Sequence, residues 1–243
     1  MLQPNVSQAI DFVIANQITF CAGNFKLHKL ASCMQHIEAQ GVPGRVLEVG
    51  VAMGGSAIVL AHAKAPGRPL DLYDVFTMLP APTEADGAKA QEIYQYFLTS
   101  QPGNQRDYLY KANSAAMDKF VLHNLAKASI SVAEAQVTLH KGDVKDTLHP
   151  QEPIALFHID CDWVEPMQIC LDRAAHLISP GGIIVFDDYS SFSGCHDLID
   201  DWLGAHPDFS ILSNTWSMAV QRNAAAPELI AQLQAFEAPR IPQ

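Results

Sequence analysis

The sequence predicts an α/β fold built on a doubly wound, mostly parallel sheet. In the stretch 153–191, two apolar runs flank a helix-like segment, and each run ends in aspartates. In the stretch 45–76, a strand-like segment, a glycine-rich turn, an alanine-rich helix and a second apolar run follow one another. Two strand–helix–strand units in one chain are typical of parallel strands joined by crossover helices.

Length and composition favour one large domain with a sizeable core. The 243 residues are 49% hydrophobic, which is enough apolar surface for a globular α/β domain. The net charge of −11 argues against nucleic acid as a partner, because such a surface repels phosphates. The N-terminus lacks the pattern of a signal peptide, and no apolar run approaches the ~20 residues of a membrane helix. We expect a cytoplasmic protein that contacts neither nucleic acid nor membrane.

Cysteine usage agrees with a reducing compartment. The five cysteines form no Cys-x-x-Cys pair, and their number is odd. Neither a disulfide framework nor a zinc site is therefore indicated, and we expect free thiols, most of them buried. The cysteines are Cys21, Cys33, Cys161, Cys170 and Cys195.

The first forty residues are predicted to form two helices. Apolar residues recur close to a 3.6-residue period over residues 5–40, and Gly23-Asn24 would separate the helices. We assign residues 1–41 to a helical segment that either caps the site or forms the face of a homodimer. Residues 42–243 then form the main domain.

The remaining elements follow in order from patterning and turn residues. A strand over 45–49 leads through a glycine loop into a helix over 57–64, and a second strand covers 69–76. The Pro- and Gly-containing stretch 77–112, with one short helix near 92–98, is predicted to be a mobile lid over the strand ends. The later elements are a helix over 113–127 capped by Asn113 or Ser114, a strand over 136–141, a Ser-Pro-Gly-Gly turn at 179–182, a helix over 194–205, strands over 209–212 and 215–220, and a helix over 227–236.

Four carboxylates follow the two apolar runs of the stretch 153–191. Because ligands of open α/β sheets bind beyond the carboxyl ends of the strands, these acids should share the ligand side. Like charges that close are costly unless a cation or protons neutralise them. We therefore predict a divalent metal site, with helix capping or turn formation as the alternative. The four are Asp160, Asp162, Asp187 and Asp188.

The glycine-rich loop predicts a nucleoside-containing cofactor. Its GxxxGG spacing over 50–55 differs from the dinucleotide fingerprint, and no P-loop lysine follows. Glu48 could pair with a ligand ammonium group, and Asp74 could accept hydrogen bonds from ribose hydroxyls. S-adenosylmethionine carries both groups, whereas a purely structural turn is the alternative. Gly142-Asp143 would border the adenine, unless Asp143 is an ordinary helix N-cap.

At this point the chain resembles the macrocin O-methyltransferase family, whose members methylate sugar hydroxyls of natural products. The similarity runs over residues 42–216, and six motifs match in order and spacing. They read VPGRVLEVGVAMGGS (42–56), YDVF (73–76), LHKGDVKDTL (139–148), HIDCDWVE (158–165), LISPGGIIVFDDY (177–189) and GCHDLIDDW (194–202).

The resemblance implies a Rossmann-like class I methyltransferase fold with a seven-stranded sheet. It implies magnesium held by Asp160, Asp187 and Asp188, with Asp162 at the position of the catalytic base. The cofactor positions, together with the glycine-loop and third-strand residues, are Glu48, Gly50, Gly54, Ser56, Asp74, Gly142 and Asp143. The chain departs from the family pattern at Asp143 and over 161–166, close to the acceptor side.

The expected function is magnesium-dependent O-methylation, from S-adenosylmethionine, of a hydroxyl on a small natural-product or sugar acceptor. Asp160 would act through the metal, and His158 is either a hydrogen-bonded core histidine or an auxiliary base. One alternative is methylation of a catechol-like phenol, which also offers two adjacent oxygens to a metal. A second is a protein that binds S-adenosylmethionine without catalysis, although binding alone needs no cluster of four carboxylates.

Overall fold

The computed structural model describes residues 2–20, 24–99, 110–223 and 227–234. Seven strands of the described chain form one sheet in the order β3-β2-β1-β4-β5-β7-β6. They are β1 (Arg45–Val49), β2 (Leu70–Asp74), β3 (Val137–Lys141), β4 (Ile154–Ile159), β5 (Ile178–Phe186), β6 (Phe209–Ser213) and β7 (Met218–Arg222). The first five strands are parallel, whereas β7 runs antiparallel to both β5 and β6. The predicted fold class is therefore confirmed.

Helices cover both faces of this sheet. They are α1 (Pro4–Ala15), α2 (Phe25–Ala39), α3 (Gly55–Ala63), α4 (Ala88–Thr99), α5 (Met117–Lys127), α6 (Val144–Thr147), α7 (Val164–Ala174), α8 (Ser193–Ala205) and α9 (Pro227–Gln234). Short 3₁₀ turns occupy Glu84–Asp86, Ser114–Ala116 and Ala175–Leu177. No helix within the described ranges has the length and apolar character that crossing a membrane requires.

The central strands read as continuous apolar runs because both of their faces are covered. All six residues of β4 are buried. Val46 and Leu156 join the core cluster that contains α1, α2 and α3, whereas Leu47 and Phe157 join the cluster that contains α7 and α8. Parallel strands buried on both faces lose the apolar–polar alternation of a half-exposed strand.

The N-terminal helices pack into the first of these two clusters. Both α1 and α2 contact α3, and α2 also contacts β4 and β5. The buried Lys29 of α2 donates hydrogen bonds to the carbonyl oxygens of Thr215 and Ser217, at 2.5 and 2.8 Å. These contacts hold α2 against the C-terminal half of the sheet, with its first turn near the carboxyl ends of the strands.

Two predictions about the C-terminal half of the sheet are wrong. The predicted turn at 179–182 lies inside β5, where the pairing with β4 shifts register between Ile154 and Leu156. Gly181 has a φ of +82° there, so the extra residues are accommodated as an irregularity within the strand. The last strand begins at Met218 instead of residue 215, because a turn precedes it in which Trp216 has a φ of +64°.

Other boundaries differ less. The short helix predicted near 92–98 is the longer α4, and the helix predicted over 113–127 begins as a 3₁₀ turn without a side-chain cap from Asn113. Some predictions lie partly outside the described residues. These are Cys21, Gly23 of the N-terminal turn, residues 100–109 of the lid and residues 235–236 of the last helix.

Candidate active site

A cavity of about 430 Å³ opens at the carboxyl ends of the parallel strands. The loops after all five parallel strands contribute to its wall. One lining residue from each loop, in the order β1 to β5, is Gly50, Val75, Gly142, Asp160 and Asp187, and Asp74 at the end of β2 lines the cavity as well. The cavity thus lies where open α/β sheets bind their ligands.

The structure brings the four predicted aspartates to this one cavity. Asp160 and Asp162 follow β4, while Asp187 and Asp188 follow β5, and all four line the wall. Adjacent residues within a strand point to opposite faces. Because β5 ends at Phe186 and the chain turns directly after it, both neighbours reach the same space.

Asp187 is bound by a lysine that comes from the N-terminal helices. The Nζ atom of Lys26, in the first turn of α2, lies 2.5 Å from Oδ2 of Asp187 and 3.0 Å from its carbonyl oxygen. Burial alone would raise the pKa of Asp187, but the charges of Lys26 and His158 and the hydrogen bond from Lys26 hold this pKa well below its usual range. Asp187 therefore stays ionised.

Asp188 and Asp162 are joined through the backbone. Oδ2 of Asp188 accepts a hydrogen bond from the backbone N–H of Asp162 at 2.8 Å. Asp162 has a φ of +63°, a left-handed conformation that aspartate tolerates better than most residues. The thiol of Cys195 also donates to the carbonyl oxygen of Asp162, over 3.3 Å. Strained backbone held by several contacts is common where side chains act on ligands.

The cluster carries more negative charge than its surroundings neutralise. Burial and the charges of Asp187 and Asp188 raise the pKa of Asp160 well above its usual value. Burial and the charges of Asp188 and Asp187 likewise raise the pKa of Asp162 well above its usual value. Burial and the charge of Asp187 raise the pKa of Asp188 to about 6. An additional cation would favour the ionised forms of all these carboxylates together.

The donor set fits a divalent metal ion. Among the described residues, ligand atoms of His158, Asp160 and Asp187 all lie within 4.8 Å of one another. Asp188 lines the same cavity but does not belong to this group. Carboxylate oxygens are the ligands that Mg²⁺ and Mn²⁺ prefer, and an imidazole suits the heavier transition metals.

The loop after β1 is tightly packed against the end of β4. Gly50 has a φ of +86°, and a Cβ atom there would lie 1.7 Å from the carbonyl oxygen of Asp160, so only glycine fits. Asp74 holds the same loop from β2. Its Oδ2 accepts hydrogen bonds from the backbone N–H groups of Val51 and Ala52 at 2.7 and 3.0 Å, and its Oδ1 accepts from Phe76 at 2.7 Å.

Other predicted cofactor residues lie behind this surface. Gly54, with a φ of +88°, precedes α3, and Ser56 is buried in its first turn; neither lines the cavity. Glu48 is fully buried, and its Oε1 lies 2.9 Å from Nδ1 of the equally buried His158. Neither member of this pair lines the cavity.

Gly142 and Asp143 line the cavity at the end of β3. Asp143 is also the N-cap of α6, because its Oδ1 accepts from the backbone N–H of Lys145 at 2.9 Å. The two roles considered for Asp143 are thus compatible in position: a helix cap can stand at the rim of the cavity.

The lid stretch is anchored to the loop that carries Asp162. The buried Asp86 accepts a hydrogen bond from the backbone N–H of Val164, the first residue of α7, at 2.7 Å. Its other oxygen accepts from the backbone N–H and hydroxyl of Thr83. Next to it, the indole N–H of Trp163 donates to the carbonyl oxygen of Pro80 at 3.0 Å.

Several aromatic side chains line the cavity. The ring of Phe20, which follows α1, meets the rings of Phe97 and Tyr110 edge-on, with centroids 5.5 and 5.3 Å away. All three line the cavity, and so do Trp163 and Phe192. The cavity is therefore lined both by a cluster of carboxylates and by apolar side chains.

A sequence profile of the macrocin-O-methyltransferase (TylF) family matches residues 16–207. The match covers both strand–helix–strand units, at 45–76 and 153–191, and therefore all four aspartates of the cluster. The chain belongs to this family.

Curated relatives are about a quarter identical to this chain over the aligned regions. A tetracenomycin 4'-O-methyltransferase of Streptomyces olivaceus, acting on the 8-demethyl-8-(2,3-dimethoxy-alpha-L-rhamnosyl) compound, is 28% identical over 74% of this chain. Demethyldecarbamoylnovobiocin O-methyltransferase of Streptomyces niveus is 26% identical over 73% of this chain. The matches span 66% and 64% of those two relatives' own lengths.

Solved structures of O-methyltransferases share the fold. The O-methyltransferase NovP superposes with a TM-score of 0.66 and 21% identity, covering 83% of this chain and 81% of NovP. CalS11, a calicheamicin methyltransferase, gives a TM-score of 0.57 at 20% identity over 91% of this chain and 94% of its own.

Two residues of the candidate site, Lys26 and Asp86, were not identified from the sequence. Lys26 occupies an ordinary position in an amphipathic helix, and only tertiary packing brings it to Asp187. Asp86 had a usable signal, because Thr83 stands three residues before it in the capping-box pattern that the structure realises. That pattern lies in the stretch 77–112, for which only one short helix near 92–98 was predicted.

Proposed function

We propose that this protein is a metal-dependent O-methyltransferase that transfers the methyl group of S-adenosylmethionine to a hydroxyl of a small natural-product or sugar acceptor. One observation carries the proposal: a single cavity joins the glycine loop and Asp74 to a cluster of four aspartates. Membership of the macrocin-O-methyltransferase family supports it. The O-methyltransferases among its relatives support the same reaction class.

On the cofactor side, Asp74 would receive the ribose. A carboxylate offers about four lone-pair positions, and three backbone N–H groups occupy three of those of Asp74. The remaining position would accept one ribose hydroxyl. Gly50 and Ala52 would lie along the amino-acid part of the cofactor, and Gly142 and Asp143 would border its adenine.

On the acceptor side, the aspartates would hold a divalent ion, such as Mg²⁺. Asp160 and Asp187 would be its ligands, with Asp188 as the third carboxylate. When bound, such an ion fixes an oxygen-bearing acceptor and lowers the pKa of its hydroxyl. The contribution of the chain is the fixed placement of these acids, in which Lys26 keeps Asp187 ionised.

Asp162 would take the proton of the acceptor hydroxyl. Its carboxylate lines the cavity, and burial together with the charges of Asp188 and Asp187 raises its pKa. A base whose pKa lies closer to the working pH removes a proton more effectively than an ordinary aspartate. The hydrogen bonds from its backbone N–H to Asp188 and from the Cys195 thiol to its carbonyl oxygen would keep it in place.

The walls of the cavity favour an acceptor with an apolar part. Ile93 and Phe97 project from α4 at a spacing of four residues and line the cavity beside Phe20 and Tyr110. A sugar would meet the cluster of carboxylates, while its ring-bearing aglycone packed against these side chains. Alignment of hydroxyl, methyl and sulfur in such a closed space can contribute about 7–11 kcal/mol in the best intramolecular cases.

A mass-spectrometric assay tests the proposal. The purified protein would be incubated with S-adenosylmethionine, Mg²⁺ and a panel of glycosylated and catechol-type acceptors, with and without a chelator. We expect a single added methyl on a glycosylated acceptor, lost with the chelator and restored by excess Mg²⁺. Transfer that is unaffected by metal removal would contradict the metal-dependent mechanism, and methylation of catechols alone would change the acceptor class.

A further inference from the structure

Glu48 and His158 form a buried pair across neighbouring strands. They stand opposite each other in the parallel register of β1 and β4, so both side chains lie on the α2 face of the sheet. Oε1 of Glu48 lies 2.9 Å from Nδ1 of His158, and the two residues are 0% and 1% exposed. This distance is that of a hydrogen bond between the two side chains.

The other nitrogen of His158 faces the acidic cluster. Nε2 lies 3.9 Å from Oδ1 of Asp187, whereas Lys26 contacts the other oxygen, Oδ2. The imidazole therefore stands between two carboxylates.

This arrangement leaves Glu48 poorly placed for the ammonium group of a cofactor. Glu48 does not line the cavity, although Gly50 and Asp74 beside it do. Its second oxygen, Oε2, is buried and accepts no hydrogen bond from the described residues. The contact that Glu48 does make, through Oε1, is with His158.

We infer that Glu48 and His158 are positioning residues that orient Asp187 toward a bound divalent cation. The inference rests on the proposed function and assigns Glu48 to the metal side of the site instead of the cofactor side. His158 is within ion-pair distance of Asp187 and is itself held by Glu48. Outer-shell partners of this kind fix the orientation of metal ligands, and their loss typically lowers metal affinity about 10- to 100-fold.

The test compares metal and cofactor affinity in Glu48→Gln, which keeps the shape of the side chain and removes its charge. Mn²⁺ binding is measured by electron paramagnetic resonance and S-adenosylhomocysteine binding by calorimetry. We expect Mn²⁺ to bind about 10-fold more weakly or worse and S-adenosylhomocysteine to bind as in the wild type. Asp74→Ala is the matched variant and should show the reverse pattern. Weakened S-adenosylhomocysteine binding with unchanged Mn²⁺ binding in Glu48→Gln would overturn the inference.

A merely structural role would lower the unfolding temperature of Glu48→Gln while its folded fraction bound Mn²⁺ as tightly as the wild type; that result also overturns the inference. A second measurement uses the wild type and is independent of any variant's folding. In Mn²⁺-loaded protein, electron spin echo modulation should show no directly coordinated nitrogen, since His158 acts through Asp187. A directly bound ¹⁴N would make His158 a ligand and overturn its positioning role.

The outcome also separates this inference from the proposed function. Wild-type protein that binds no Mn²⁺ contradicts the metal-dependent function, and the inference fails with it. Wild-type protein that binds Mn²⁺, beside a Glu48→Gln variant that binds it equally well, contradicts the inference alone.

Discussion

At the scale of single residues, the adjacent Asp187 and Asp188 have opposite environments. Asp187 lies between Lys26 and His158, which keep it ionised despite its burial. Asp188 has neither cation in contact, and burial beside Asp187 raises its pKa to about 6. The two carboxylates therefore differ: two cationic side chains adjoin Asp187 and favour its ionised form, whereas the ionised form of Asp188 would gain more from an additional cation.

Asp188→Asn tests the role of that carboxylate. The asparagine side-chain oxygen can still accept the hydrogen bond from the backbone N–H of Asp162, so the change removes charge with little change of shape. We expect kcat/KM for methyl transfer to fall at least about 100-fold through weakened metal binding, with S-adenosylhomocysteine affinity retained. Asp197→Asn, an exposed carboxylate on α8, is the matched control and should retain activity. Undiminished turnover in Asp188→Asn would refute a metal role for this residue.

Asp74→Ala tests the cofactor side. Asp74 accepts three backbone hydrogen bonds and would accept a fourth from ribose, and hydrogen bonds to charged groups contribute about 1.5–3 kcal/mol each. Calorimetry should show S-adenosylmethionine binding about 10- to 100-fold more weakly, whereas Mn²⁺ affinity stays close to that of the wild type. Asp71→Ala removes a carboxylate of the same strand that pairs with Arg45 and His140. That control should lose stability but bind the cofactor normally; equal affinity in both variants would exclude the ribose contact.

At the scale of elements, the short turn Glu84–Asp86 contacts the starts of α7 and α8 beside the candidate site. The short turn around Asp86 packs against the start of α8, where a Cβ on Gly194 would lie 2.3 Å from the carbonyl oxygen of Ala85. Asp86 also binds the N-terminus of α7, directly after the loop that carries Asp162. The turn around Asp86 therefore contacts the segment that closely follows Asp162, the residue proposed as the base.

Asp86→Ala tests this connection. The change leaves the backbone N–H of Val164 without its carboxylate acceptor, and the loss of such caps costs about 0.5–2 kcal/mol of stability. We expect a lower unfolding temperature together with a several-fold lower kcat, because the position of Asp162 becomes less defined. Glu84→Ala changes an exposed acid of the same short turn and should alter neither quantity. A variant that unfolds earlier but keeps the wild-type kcat would show that the anchor serves stability alone.

Elements with a clear period were predictable from the sequence, and contacts between distant segments were not. The buried strands and the convergence of the four aspartates follow from the ends of two apolar runs. The Pro-Gly-Gly sequence at 180–182 has a strong local turn signal, yet pairing of Ile178 and Ile183 with β4 on either side of it kept it within β5. The contact of Lys26 with Asp187 joins residues 161 positions apart, which no local pattern encodes.

At the scale of the whole molecule, the fold concentrates negative charge at one end of the sheet. Asp160, Asp162 and Asp188 all have raised pKa values there, because burial and mutual repulsion disfavour their ionised forms. The metal-free protein therefore bears an electrostatic cost that a bound cation would remove. Such a site stabilises the folded state when it is occupied and destabilises it when it is empty.

Mg²⁺ should accordingly raise the stability of the wild-type protein. A ligand at about 100 times its Kd adds about 2.7 kcal/mol to the free energy of unfolding, which denaturant titration resolves. Asp160→Asn removes one of the mutually repelling carboxylates, so we expect this variant to be more stable than the wild type in a chelator and to gain little from Mg²⁺. Asp197→Asn, outside the cavity, should respond to Mg²⁺ as the wild type does. A metal-free Asp160→Asn variant that is less stable than the wild type would show that hydrogen bonding of Asp160, and not repulsion, dominates at this end of the sheet.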